Sequence, residues 1–290
     1  MKLLVKFNLL FLAVMAAGLV VSGSIGRELL QGNAKEEVVN NARLLMEKAT
    51  AVRGYTSSQI TKLLETQMKY EFLPQSVPSY SAVEVLNALQ SKYPQFSYKE
   101  ATLNPTNPRD RAAGWEVDIV SQFRSNAELK ETVGVRDTPT GPSLFIARPL
   151  RITDAACLRC HSSVEAAPKT MVERYGPANG FGWQHMEVVG AQIVNVPMSL
   201  PLERAERSFN VFILSQIGVF VAVGIALNLM IWLVIVRPVT RLSSLADRVS
   251  QGELEAPEFD AKSKDEIGTL AESFNRMRTS VVQAMRMLDN

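Results

Sequence analysis

The chain has 290 residues, 47% hydrophobic and 21% charged, enough for a globular core of ordinary size and a membrane part besides. A net charge of +2, with no stretch dense in lysine and arginine, lacks the electrostatic footprint of a nucleic-acid binder, so no nucleic-acid partner is expected. The two cysteines, Cys157 and Cys160, stand three positions apart, which excludes a disulfide framework and gives the pair a local task.

The first element is an uncharged run between Lys6 and Arg27, centred on residues 9–21. A bilayer takes about 20 apolar residues at about 1.5 Å each, so residues 7–26 are read as a transmembrane helix after a cytoplasmic stub of residues 1–6. The run is short and carries Ser22-Gly23-Ser24 near its end, so a cleaved signal peptide is the alternative. Residues 34–70 then read as one long helix, because Val38, Ala42, Leu45, Ala49 and Val52 recur at three- and four-residue steps. Pro74 and Pro78 stop it, and Ser81 caps a second helix through Leu89. Pro105 and Pro108 mark a loop before a third, amphipathic helix over residues 115–123. Residues 143–152 and 188–196 are predicted strands. A second uncharged run, residues 211–236, has only Gln216 and Asn228 as notable polar interruptions and places a second transmembrane helix at 208–236. Lys2 and Lys6 precede the first span and Arg237 and Arg241 follow the second, which puts both chain ends in the cytoplasm and residues 27–207 outside.

Within the outer region stands Cys157-Leu158-Arg159-Cys160-His161, the C-x-x-C-H arrangement of c-type haem attachment. Two thiols at this spacing can form thioethers with the two haem vinyl groups, and the next histidine is delivered to the iron. A zinc site needs four ligands, and the other histidine, His185, does not follow zinc-finger spacing. A thioredoxin-like pair belongs at a helix start inside a βαβ unit, and no such unit is visible. The expected cofactor is one covalent haem c.

Five segments carry a wider resemblance: Val52-Arg53-Gly54-Tyr55-Thr56; residues 98–111 (YKEATLNPTNPRDR) with Trp115-Glu116; the CLRCH site; residues 175–183 (YGPANGFGW); and residues 190–198 (GAQIVNVPM). Over about residues 35–200 the chain resembles the PAS-like periplasmic c-haem sensor family, formerly a domain of unknown function. The resemblance implies an α+β domain with a small antiparallel sheet, the haem held against the sheet, and a long N-terminal helix. In at least some members a cysteine sulfur is the second axial ligand; no third cysteine exists here, so the sixth position is open among Met46, His185, Tyr55, other outer methionines, water or nothing. Met46 is the chosen candidate, since it lies on the helix where the family places that ligand and a thioether suits haem iron. Arg109 and Arg111, with Arg148, are candidate propionate partners, and structural ion pairing is the equal alternative for them.

After the second span, Pro238, Leu242, Leu245 and Val249 follow helical steps until Gly252, a connector runs to Ser263, and Asp265-Glu266-Ile267-Gly268 opens a second helix. Its apolar positions, Ile267, Leu270, Phe274, Met277, Val281, Ala284 and Leu288, advance by 3, 4, 3, 4, 3 and 4, the seam of a coiled coil. Residues 237–290 resemble a HAMP domain, which implies a parallel four-helix bundle made by two copies. No catalytic constellation is visible and no enzyme activity is expected. The chain is expected in a bacterial inner membrane, its haem domain periplasmic and its HAMP domain cytoplasmic. It is read as a homodimeric sensor of redox state or a diatomic gas that addresses a separate kinase, cyclase or chemotaxis-type protein. The alternative is a membrane-anchored c-type cytochrome in periplasmic electron transfer, which has no use for a HAMP pair.

Overall fold

A computed structural model describes residues 3–139, 141–253, 257–259 and 264–288; Lys2 and the connector end at Ser263 lie outside the described residues. The chain divides into two compact units, Arg27–Phe209 and the paired segments Met1–Gly26 and Asn210–Asn290.

The first helix, α1 (Leu3–Tyr55), starts far earlier than the expected residue 34. The apolar run and the amphipathic run meet without a proline or turn signal, so nothing separates them. It passes through a π-helical turn at Thr56–Ile60 into the short α2 (Thr61–Leu64), ending before the expected residue 70. Pro78 does not stop a helix but starts one, α3 (Pro78–Gln90). Its fixed φ suits a first helical turn, where its missing N–H would have had no partner. Ser81 lies inside that turn, and its hydroxyl donates to the Gln75 carbonyl. The third expected helix is α4 (Trp115–Ser125).

The sheet has four strands, β1 (Ser97–Thr102), β2 (Thr132–Thr138), β3 (Gly141–Arg151) and β4 (Val188–Pro197), in the antiparallel order β1-β4-β3-β2. The expected strands are β3 and β4; β1 and β2 were not foreseen. Central β4 is almost wholly buried because helices cover both faces of the sheet. On one face α1 presents Val38, Ala42, Met46 and Ala49, steps of 4, 4 and 3, and α3 adds Ala82, Val83 and Leu86 over Leu144, Ile146, Val194 and Val196. The other face packs Ile119, Val120 and Phe123 of α4 on Phe145, Ala147, Ala191 and Ile193. Between β3 and β4 lie two short helices, α5 (Leu158–His161) and α6 (Lys169–Tyr175).

In the other unit, the start of α1 packs antiparallel to α7 (Ser199–Ile231). Asn8 and Asn228 exchange two carboxamide hydrogen bonds, at 2.8 and 2.7 Å, and Ser22 donates to Gln216 at 2.9 Å. Phe220 and Ile213 sit over Gly18 and Gly23, and Phe11 over Gly224, the close approach that small residues allow. Both helices are long and apolar enough to span a bilayer. A π-helical turn, Trp232–Val236, joins α7 to α8 (Arg237–Ser250), with the Arg237 amide bonded to the Trp232 carbonyl. The turn widens the helix just ahead of Pro238, whose ring would otherwise press on the preceding turn. Gly252, at φ +92°, ends α8 by donating to the Val249 carbonyl. Asp265 opens α9 (Glu266–Leu288) by accepting from the amides of Ile267 and Gly268, each at 3.0 Å. Phe274 packs on Leu242 and Val249, with Phe259 against them; Leu270, Met277 and Val281 stay exposed. The Asn275 carboxamide clamps Phe259 by accepting from its N–H and donating to its carbonyl.

Candidate functional site

The CLRCH segment sits in the excursion between β3 and β4. Asp154 starts it, its carboxylate accepting from the Ala156 amide at 2.8 Å and its carbonyl from the Cys157 amide at 3.1 Å. A 3-10 turn, Ala155–Cys157, runs into α5, so Cys157, Cys160 and His161 fall at i, i+3 and i+4 on one side of a helical turn. Both cysteines are free thiols and half-buried. Burial pushes the Cys157 thiol up, Asp154 adds to it, and the Arg53 guanidinium pulls it part of the way back. Burial likewise raises Cys160, against the pull of Arg159.

His161 is held from three sides. Its Nδ1–H donates to the Gly180 carbonyl at 2.7 Å, which fixes the tautomer and leaves the Nε2 lone pair free. The Trp183 ring stacks on it, centroids 4.0 Å apart and planes 17° from parallel. Backbone bonds from Gly182 N to Ser162 O and from Trp183 N to His161 O wrap residues 180–183 around α5. Burial lowers the imidazole pKa, keeping the ring neutral, the form that binds a metal. Gly180 is required here: its φ is +86°, and a Cβ would stand 2.0 Å from Thr106 Oγ1. The loop after β1 braces the same wall, since Asn104 donates to the Phe181 carbonyl and Arg111 to Asn179 Oδ1.

A second polar cluster stands on the sheet face under α1. Arg53, in the last turn of α1, donates through Nη1 to Glu100 Oε2 at 2.5 Å. Tyr98 Oη donates to Glu100 Oε1 at 2.7 Å, and Gln192 Nε2 donates to Tyr98 Oη at 2.8 Å. Glu100 is only 3% exposed. Burial and the neighbouring carboxylate push the Tyr98 phenol far above its usual range. Burial draws the Arg53 pKa down, and Glu100 more than restores it.

Of the residues expected in the site, Cys157, Cys160 and His161 share the α5 turn, and Arg111 lies on the loop bracing His161. Arg109 is bonded to Glu84 and lies over the Tyr80 ring, 5.1 Å from its centroid. Arg148 pairs with Glu47 and Glu131. Met46 is fully enclosed in the apolar core of α1, α3 and the sheet, while His185 and Tyr55 are exposed. Arg53, Glu100 and Gly180 were not singled out individually, although the quoted segments contain Arg53, Glu100 and Gly180. Among the described residues no group of three or more His, Cys, Asp or Glu side chains is placed to hold a metal ion. A haem suits this donor set: two free thiols, and a neutral imidazole with its outer nitrogen free.

The Tll0287-like family model matches residues 31–197, more than half of the chain. The chain belongs to the Tll0287-like family. A HAMP domain follows at residues 230–283. Among solved structures, the chain is similar to the cyanobacterial heme-protein Tll0287, with 17% identity, 57% of this chain and 91% of that one covered, and a TM-score of 0.38. No curated protein matches. A Tll0287-like domain between two candidate transmembrane helices, followed by HAMP, points to a membrane signal transducer.

Proposed function

We propose that the chain is a membrane-bound sensor holding one haem c through thioethers to Cys157 and Cys160, with His161 on the iron, and that it passes its state through HAMP to a separate signalling protein. The observation that carries this is the housing of His161: Nδ1 committed to Gly180, the ring held by Trp183, and two free thiols on the same helical turn. A bound haem supplies a one-electron couple and an iron centre open to tuning at its sixth position. The chain's own work is to orient. Gly180 keeps the proton on Nδ1, Trp183 fixes the ring plane, and Asp154 sets the turn that presents Cys157. The haem domain is read as periplasmic and the HAMP domain as cytoplasmic, because Arg237 and Arg241 follow the second span and Lys6 precedes the first. The exposed row on α9, Leu270, Met277 and Val281, fits a second copy of the chain, a feature the anchored-cytochrome alternative does not need.

The test is co-expression with c-type maturation factors followed by haem-stained denaturing electrophoresis. Haem should stay with the wild-type polypeptide and be lost from a Cys157→Ala/Cys160→Ala variant. Haem that separates from the wild type under denaturation overturns the reading.

A further inference from the structure

We infer that the loop between β1 and α4 is the seat of the Gly180 carbonyl, with Thr106, Asn104 and Arg111 as positioning residues, and that it thereby sets how firmly the His161 Nδ1–H is bonded. The inference rests on the reading that His161 is the residue on the iron. The segment that supplies the carbonyl is poorly built to hold itself. Between α6 and β4 it contains Gly176, Gly180 and Gly182, at φ +80°, +86° and +80°, and a glycine loses more conformational freedom on ordering than any other residue. Its own backbone bonds to the α5 turn come after the carbonyl, from the Gly182 and Trp183 amides to the Ser162 and His161 carbonyls.

The opposite loop is built the other way. Pro105 and Pro108 fix two of its φ angles, and Asn107 caps the 3-10 turn Pro108–Asp110 by accepting from the Arg109 amide. Its two ends are tied together where the Ala112 amide donates to the Thr102 carbonyl at 2.9 Å and Lys99 Nζ to the Arg111 carbonyl at 2.9 Å. From that frame three side chains reach the glycine segment. Arg111 Nη2 donates to Asn179 Oδ1 at 3.2 Å, on one side of Gly180, and Asn104 Nδ2 donates to the Phe181 carbonyl at 3.4 Å, on the other. Thr106 Oγ1 stands against Gly180 itself and 3.5 Å from His161 Nδ1. Each bond alone is modest, the first because it is exposed and the second because it is long. Together they hold residues 179, 180 and 181 to one rigid loop, and the carbonyl of the middle residue is the one that accepts from the imidazole, at 2.7 Å.

The effect on the iron ligand has a definite sign. A hydrogen bond from Nδ1–H to a carbonyl raises the basicity of Nε2. A more basic ligand favours ferric iron and lowers the reduction potential, so slack around Gly180 raises it. Arg111 acting by its charge does the reverse: a nearby cation favours the ferrous form, and its removal lowers the potential. Position and charge therefore predict opposite shifts for Arg111→Gln.

The experiment takes two readouts from the full-length chain in lipid nanodiscs at pH 7. The chain has two histidines, so magnetic resonance of the haem-free chain with histidine alone isotopically labelled follows the His161 Nδ1–H directly. Spectroelectrochemical titration of the haem-loaded chain gives the midpoint potential. Thr106→Ala, Arg111→Gln and Asn179→Ala should each speed exchange of the Nδ1 proton with water and raise the midpoint, Thr106→Ala most. Thr106→Ser keeps the oxygen and should stay near wild type. The R111Q/N179A double variant should go no further than either single one, because the two residues act through one bond. Unchanged proton exchange in all three single variants, a lowered potential in R111Q, or additive shifts in the double variant overturns the inference. Where a variant does not take up haem, its proton exchange still decides. Haem staining separates the two levels: an unstained wild type defeats the haem reading, whereas stained variants with unmoved exchange and potential defeat only the role of the loop.

Discussion

At the scale of single residues, the surroundings of His161 make Gly180 the most exacting position. Gly180→Ala adds a Cβ at positive φ against Thr106 and displaces the carbonyl that fixes the imidazole. The expected result is a protein that keeps covalent haem but shows a perturbed reduced spectrum and loses about 1–3 kcal/mol of stability, read from thermal melting. An unchanged spectrum would remove Gly180 from the orienting role. Met46 offers a different contrast, because it fills the core completely. Met46→Ala should cost about 2–5 kcal/mol as a cavity, while Met46→Leu should leave the midpoint potential and oxidised spectrum as they are. A potential shifted by Leu would return Met46 to the iron as the thioether expected from sequence. Asp110 sets a pH dependence. Burial raises its pKa to about 6, against the pull of Arg109 and with help from Glu100. The folded state thus holds this proton more tightly than the unfolded chain, so the contribution of Asp110 to stability is fully present below about pH 4 and is lost as pH rises through about 6. Asp110→Asn should therefore melt higher than wild type at pH 7, by well under about 3 kcal/mol because solvent screens a group only partly buried, and match it near pH 4. Equal melting at both values would show that Asp110 does not carry the slope.

At the scale of elements, much was legible and the failures have physical causes. The stripe from Val38 to Ala49, the amphipathic α4 and the apolar β3 and β4 all announce themselves, because each buries a regular set of apolar residues. Strand β1 does not: its inward side chains are Tyr98, Glu100 and Thr102, a polar set that bonds partly within the strand and is completed by Arg53 and Gln192, far along the chain. Strand β2 inverts the usual alternation. Val133 and Val135 face out, while Gly134 makes room for the Phe145 ring and Arg136 lies over Trp115, 4.4 Å from its centroid. The site followed the same rule. Cys157, Cys160 and His161 are local in sequence and were readable; Arg53 and Glu100 meet across 47 positions and were not. The two apolar helices yield a prediction of their own. Replacing Asn8 or Asn228 alone by Leu strands a carboxamide in lipid and should weaken the helix pair by about 1 kcal/mol, whereas the double replacement recovers most of that loss. Unfolding in mixed detergent micelles measures it, and equal losses in all three variants would mean that the amide pair contributes nothing.

For the whole molecule, α9 is the element that asks for company. Phe274 is used within the chain, while Leu270, Met277 and Val281 form an exposed row at steps of 7 and 4. Single cysteines at Leu270 and Met277 should cross-link two copies in membranes, and a cysteine at the exposed Glu272 should do so poorly. If the proposed relay operates, the rates at Leu270 and Met277 differ between oxidised and dithionite-reduced membranes once reduction of the cross-linker itself is controlled. Identical rates in both conditions would sink the relay and favour the anchored cytochrome. The energetic requirement is modest, since two packings of a bundle separated by a few kcal/mol can be biased by a charge change that one of them feels more than the other.

The wide turn at Trp232–Val236 matters to anyone who wants to splice this chain. A π-turn is an α-helix with one surplus residue folded into it, so the junction contains spare length. Removing one residue among 233–235 lets the turn close toward ordinary helix, at the cost of a bend where the Pro238 ring meets the preceding turn, while the flanking segments keep nearly the same angular phase. Adding one residue has no such refuge and turns everything downstream by about 100°. Chimaeras that graft a foreign output after residue 250 should therefore tolerate a one-residue deletion at this seam and fail on a one-residue insertion, a difference that a reporter of output in cells reads directly.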